Sequence, residues 1–69
     1  MMIKVHQYID GPYDHGDKWT LLCEIEEKGM LFEDEVPFKD FNSAYTFMNQ
    51  IKTSVEPIIY NTESYLWVH

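Results

Sequence analysis

The side chains able to do chemistry here are few and scattered: one cysteine (Cys23), three histidines (His6, His15, His69) and carboxylates gathered in two stretches. A nucleophilic cysteine needs an electropositive, partly exposed setting that lowers its pKa. Cys23 lies instead within WTLLCEIEE, on the same side of an alternating run as Trp19, Leu21 and Ile25. It reads as a small buried hydrophobe. The histidines follow no Ser-His-acid order and no metal-binding helix spacing. Three glycines in the whole chain leave no phosphate-cradling loop. A chain this short has little room for a substrate pocket. The expectation is a protein that is not an enzyme and uses no cofactor.

The first acidic stretch, Asp10 to Asp17, holds Asp10, Asp14, His15 and Asp17, which are candidate ligands for a divalent cation. Their spacing departs from the calcium loop D-x-[DN]-x-[DN]-G, and no second ligand cluster accompanies them. Aspartate and glycine are also ordinary turn residues, favoured for local hydrogen bonds and positive φ. The expected reading is a polar loop after a strand ended by Asp10-Gly11-Pro12, with metal or small-ligand binding as the alternative.

The second stretch runs from Glu24 to Glu35 and contains six acids against the single Lys28. It falls inside two strand-like runs joined at Lys28-Gly29, where a two-residue primed turn fits because glycine tolerates positive φ. That turn pairs Glu27 with Met30 and sets every later pair. Ile25 then faces Phe32, Leu21 faces Val36 and Trp19 faces Phe38, giving one apolar side. Glu24 faces Glu33 on the other side, with Glu26, Glu35 and Leu31 near them. Directly opposed like charges cost about 1 kcal/mol even in a water-like dielectric. Asp34 fits this register poorly, because it falls on the apolar side opposite Cys23. A bulge or an early strand end at Glu33-Asp34-Glu35 is the expected remedy.

Around this hairpin the chain supplies a strand and a helix. MMIKVHQYI alternates, with Ile3, Val5 and Ile9 on one side and Lys4, His6 and Tyr8 on the other. Beside the hairpin it would bring Lys4 to the acidic side. Asp40 is a suitable N-cap for a helix from Phe41 to about Val55, stopped by Pro57. Its apolar stripe reads Phe41, Ala44, Tyr45, Met48, Ile51 and Val55, with Phe47 off the stripe and expected to be exposed. The tail has two short β-prone runs, 58–60 and 65–68, around a turn at 61–64. The fold class expected is α+β: a small antiparallel sheet in the order β-β-β-α-β, with a fifth short strand as an option, packed on one amphipathic helix.

The 69 residues suffice for one small domain, 1–69, or for the subunit of a homodimer. A lone cysteine allows no internal disulfide, and no signal peptide or membrane span is evident, so a cytoplasmic setting is expected. All five cations are lysines, within a net charge of -7. Arginine's planar fork, the usual instrument for reading phosphates and bases, is absent. In element order the chain is similar to small DNA-reading domains of the integrase-arm and AP2 type, which resemblance implies a sheet face set into the major groove. Where such a reader carries lysine and arginine, this sheet carries glutamate, so direct nucleic-acid binding is not expected.

The opposite role fits the charge. A small acidic protein-interaction module would present Glu24, Glu26, Glu33 and Glu35 to a basic, for example nucleic-acid-binding, partner protein, with Tyr65 and Trp67 of the aromatic tail as further contacts. In size and acidity this resembles small inhibitors from bacteriophages and other mobile elements. A charged outer face is equally what solubility requires. The alternative is a homo-oligomeric structural protein whose tail or sheet edge pairs with itself.

Overall fold

The computed structural model describes residues 1–63 as four strands and one helix: β1 (Met2–Asp14), β2 (Trp19–Glu27), β3 (Met30–Phe38), α1 (Phe41–Thr53) and β4 (Ile58–Asn61). The strands form one antiparallel sheet in the order β3-β2-β1-β4. This is the expected α+β class, with strand 58–60 found as β4 along the free edge of β1. The run 65–68, with Tyr65 and Trp67, lies outside the described residues.

The hairpin has the predicted register throughout, from Glu27 opposite Met30 to Trp19 opposite Phe38. Lys28 (φ 53°) and Gly29 (φ 81°) both occupy the left-handed region, as a type I′ turn requires. The expected bulge at Asp34 is absent: β3 is regular through it. Asp34 escapes burial because β3 is an edge strand whose residues Met30 to Glu35 are all exposed. Its carboxylate Oδ1 accepts the backbone N–H of Glu35 at 2.8 Å.

That hydrogen bond follows from the ladder. In a two-residue hairpin the closing pair exchanges both backbone bonds, and bonded pairs alternate with non-bonded ones thereafter. Residues 30, 32, 34 and 36 therefore turn their backbone groups toward β2, while Leu31, Glu33, Glu35 and Pro37 turn theirs away. Pro37, which has no N–H to offer, sits where none is needed. Its carbonyl accepts the Tyr60 hydroxyl instead.

The irregularity falls in β1. Its pairing with β2 shifts register at three places, between Val5 and Gln7, Tyr8 and Asp10, and Asp10 and Tyr13. The first shift reverses the alternation that the sequence implied, and the second restores it at Asp10. Gln7 thus joins Glu24 on the outer face, Tyr8 packs against the core opposite Cys23, and Ile9 is left exposed. The strand also continues past Gly11-Pro12, a cis peptide, to Asp14, where a loop had been expected. Gly11, at φ +110°, admits this path: a Cβ there would stand 3.0 Å from the Thr20 carbonyl oxygen. The connecting turn is correspondingly short, closed by the His15 N–H on the Lys18 carbonyl at 2.9 Å.

A strand so bent curls the sheet, and the end of β3 meets β4 although the two lie at opposite edges. Phe38, Tyr60 and the helix residue Phe47 form a three-ring cluster with centroids 5.0 to 5.2 Å apart. Asp40 caps the helix as expected, accepting the Ser43 N–H at 2.8 Å. The helix face is rotated from the predicted stripe: Ala44, Phe47, Met48 and Ile51 are buried, whereas Phe41 and Tyr45 are exposed. Val55, expected in the stripe, lies beyond the helix, which ends at Thr53, and is exposed. Phe41 packs edge-on against Trp19 and stacks beside Tyr45 at the rim. The core is completed by Ile3, Val5, Leu21, Cys23, Ile25, Val36 and Phe38. Among the described residues no helix is long and apolar enough to cross a membrane.

Candidate functional site

The helix covers one face of the sheet and leaves the other open, and Glu24, Glu26, Glu33 and Glu35 lie on the open face. Reading across the strands, Glu33 stands beside Glu24 and Glu24 beside Gln7. The next row runs Leu31, Glu26, Lys4, Ile59, which places Lys4 next to an acid, as a strand beside the hairpin should. On the other side of Glu24, Glu35 stands beside Leu22 and Leu22 beside Asp10. All four glutamates of the expected acidic face are thus brought together. The extension of β1 adds Asp10, which the sequence had assigned to a loop.

Two of these glutamates are fixed by histidines. His6 Nε2 lies 2.9 Å from Glu26 Oε1, and His15 Nε2 lies 3.0 Å from Glu35 Oε1. The buried Thr20 also donates its hydroxyl to Glu35. These hydrogen bonds, Thr20's first and His15's second, hold the Glu35 carboxyl below its ordinary pKa. Asp10 is lowered in the same way by the Tyr13 hydroxyl, whose own pKa is pushed up to about 12 chiefly by that bond. Glu24 and Glu33 have no ion pair among the described residues. The histidine partners were not legible in the sequence, because His6 precedes a bulge and His15 folds back from a turn.

His15, Thr20 and Glu35 are residue types from which hydrolases build catalytic triads, but the geometry differs. A general base accepts the nucleophile's proton on one ring nitrogen while a carboxylate holds the other. Here a single nitrogen, Nε2, lies 3.0 Å from both Thr20 and Glu35, and Thr20 donates to the carboxylate. The arrangement orients Glu35. An open depression of about 300 Å³ beside it is lined by His15, Lys18, Thr20, Glu35 and Pro37.

The candidate metal ligands are directed elsewhere. Asp10 is engaged by Tyr13, Asp14 accepts the Gly16 N–H at 2.8 Å, and His15 faces Glu35. Among the described residues no three such groups converge. Cys23 is fully buried, and burial pushes its thiol up to about 12. Tyr65 and Trp67 of the expected contact set lie outside the described residues. Compared with known proteins, the chain matches no family model, no curated protein and no solved structure, so its functional reading rests on the geometry of this face.

Proposed function

We propose that the protein is a non-enzymatic, cytoplasmic interaction module that presents the open face of its sheet to a basic protein partner, such as a nucleic-acid-binding protein whose site it would occupy. The observation that carries this reading is the row Glu33–Glu24, two carboxylates set directly opposite each other with no ion-paired cation among the described residues. Such a pair costs stability in the free protein and is relieved when a cation arrives. Glu26 and Glu35, oriented by His6 and Thr20/His15, extend the negative field on either side. A rigid sheet holding charges of one sign also speeds encounter with an oppositely charged surface.

The test is capture of partners from a lysate at low and high salt, with the wild type and with the double variant Glu24→Lys/Glu33→Lys. That variant keeps a like-charged pair at the same positions, so it changes the sign of the field and not the crowding. Salt-sensitive capture of basic proteins by the wild type, lost in the variant, is the expected result. Capture indifferent to both salt and charge reversal defeats the reading.

Self-association is the second reading, favoured by the exposed Met2, Met30, Leu31 and Ile59 near the hairpin turn. Light scattering over a dilution series separates the two. A strict monomer at high concentration removes the oligomer.

A further inference from the structure

We infer that the free edge of β3, between Leu31 and Glu35, takes up an extended basic segment of the partner as an added strand, a reading that rests on the acidic-face function and specifies how that face is engaged. Among the described residues β3 pairs with β2 alone, and no other backbone hydrogen bond reaches Met30 to Glu35. The alternation of the ladder turns the N–H and C=O of Leu31 and Glu33, and the C=O of Glu35, outward from the sheet. A row of this kind is a template for strand addition.

The edge has built ends. At one end is the type I′ turn. At the other, Pro37 lacks an N–H and its carbonyl is taken by Tyr60, so pairing stops there. Just before it, the Asp34 carboxylate occupies the Glu35 N–H.

The side chains specify the occupant. An added strand would lay alternate residues along Leu31, Glu33 and Glu35 on the open face, and the others along Phe32 and Asp34. Within Met30–Phe38 there is no cation to set against Glu33, Asp34 and Glu35. A second copy paired antiparallel about Glu33 or about Asp34 would place carboxylates directly opposite carboxylates. Paired about Phe32, it would set Glu33 against Leu31 and Asp34 against Met30, and Glu35 would meet only Gly29 of the turn. No register of self-pairing within this strand gives Glu33 or Glu35 a cation, whereas lysines or arginines on alternate positions meet both of them, the apolar residues between meet Phe32, and Asp34 keeps its bond to the Glu35 N–H.

The test uses a short synthetic peptide alternating lysine and valine, followed by amide hydrogen exchange of the full chain. The expected result is exchange slowed about tenfold or more at Leu31 and Glu33, with protection lost when the peptide's pairing-edge nitrogens are methylated. The variant Leu31→Pro removes one outward N–H without touching the bonds to β2, and binding should weaken in it. Binding that is salt-sensitive but indifferent to backbone methylation overturns strand addition and leaves the acidic-face reading standing. Absence of any salt-sensitive binding overturns both. Protection of the β3 edge by the protein's own concentration, without peptide, overturns the basic occupant.

Discussion

Thr20 and His15 reach Glu35 from β2 and from the turn before it, and each prefers the ionised carboxylate. A carboxyl whose folded pKa is depressed binds fewer protons in the native state than in the unfolded one. Its contribution is therefore present above the ordinary value of 4.5 and is lost as pH falls through and below it. Thr20→Val keeps the buried shape and deletes the hydrogen bond that lowers the Glu35 carboxyl most. We expect the Glu35 titration midpoint, followed by carboxyl NMR, to rise toward 4.5, and the acid limb of the stability curve to become shallower. An unmoved midpoint would mean that Thr20 does not hold this carboxylate. Asp34 shows the same economy of local bonding: an acid that the register places on the apolar side turns to the strand edge and satisfies its neighbour's N–H.

At the scale of elements, the hairpin was legible because one turn dictates all of its pairs, and a period of two leaves no freedom afterwards. The helix was legible at its start, capped by Asp40, but it ends at Thr53 and not near Val55, and its rotation was not legible. Its stripe was read as if a flat sheet lay beneath it. The three register shifts in β1 curl that sheet, bring Phe38 and Tyr60 together, and draw Phe47 into the space between them. Bulges leave no periodic mark in Val5-His6-Gln7-Tyr8, so neither the rotation nor the position of Ile9 followed from the sequence. Phe47 is 8% exposed and Val55 99% exposed, the reverse of the expected order. Truncating Phe47 to alanine should cost about 3 kcal/mol or more, a large part of the stability available to a domain this small. Val55→Ala should stay within about 0.5 kcal/mol. Urea midpoints of the two variants check both values, and equal shifts would contradict the burial of Phe47.

For the molecule as a whole, the open face sets stability against recognition. With a net charge of -7 and a small core, the chain has reason to avoid like charges in contact, yet Glu24 and Glu33 are directly opposed. The bond acceptors and donors around the face hold Glu26 and Glu35 in place and leave this central pair uncompensated among the described residues. If the pair is kept for a cation supplied from outside, supplying one from within should improve the fold and impair the contact. Glu33→Lys turns the opposed pair attractive, and the gain should be about 1 kcal/mol. For a domain of this length that corresponds to a rise in Tm of about 4–8 °C. The same variant should capture less of any basic partner at low salt, since its lysine neutralises Glu24 and repels the incoming cation. A face that serves solubility alone would show the thermal gain without the loss of capture. The two measurements on one variant therefore separate a recognition surface from a solvated one.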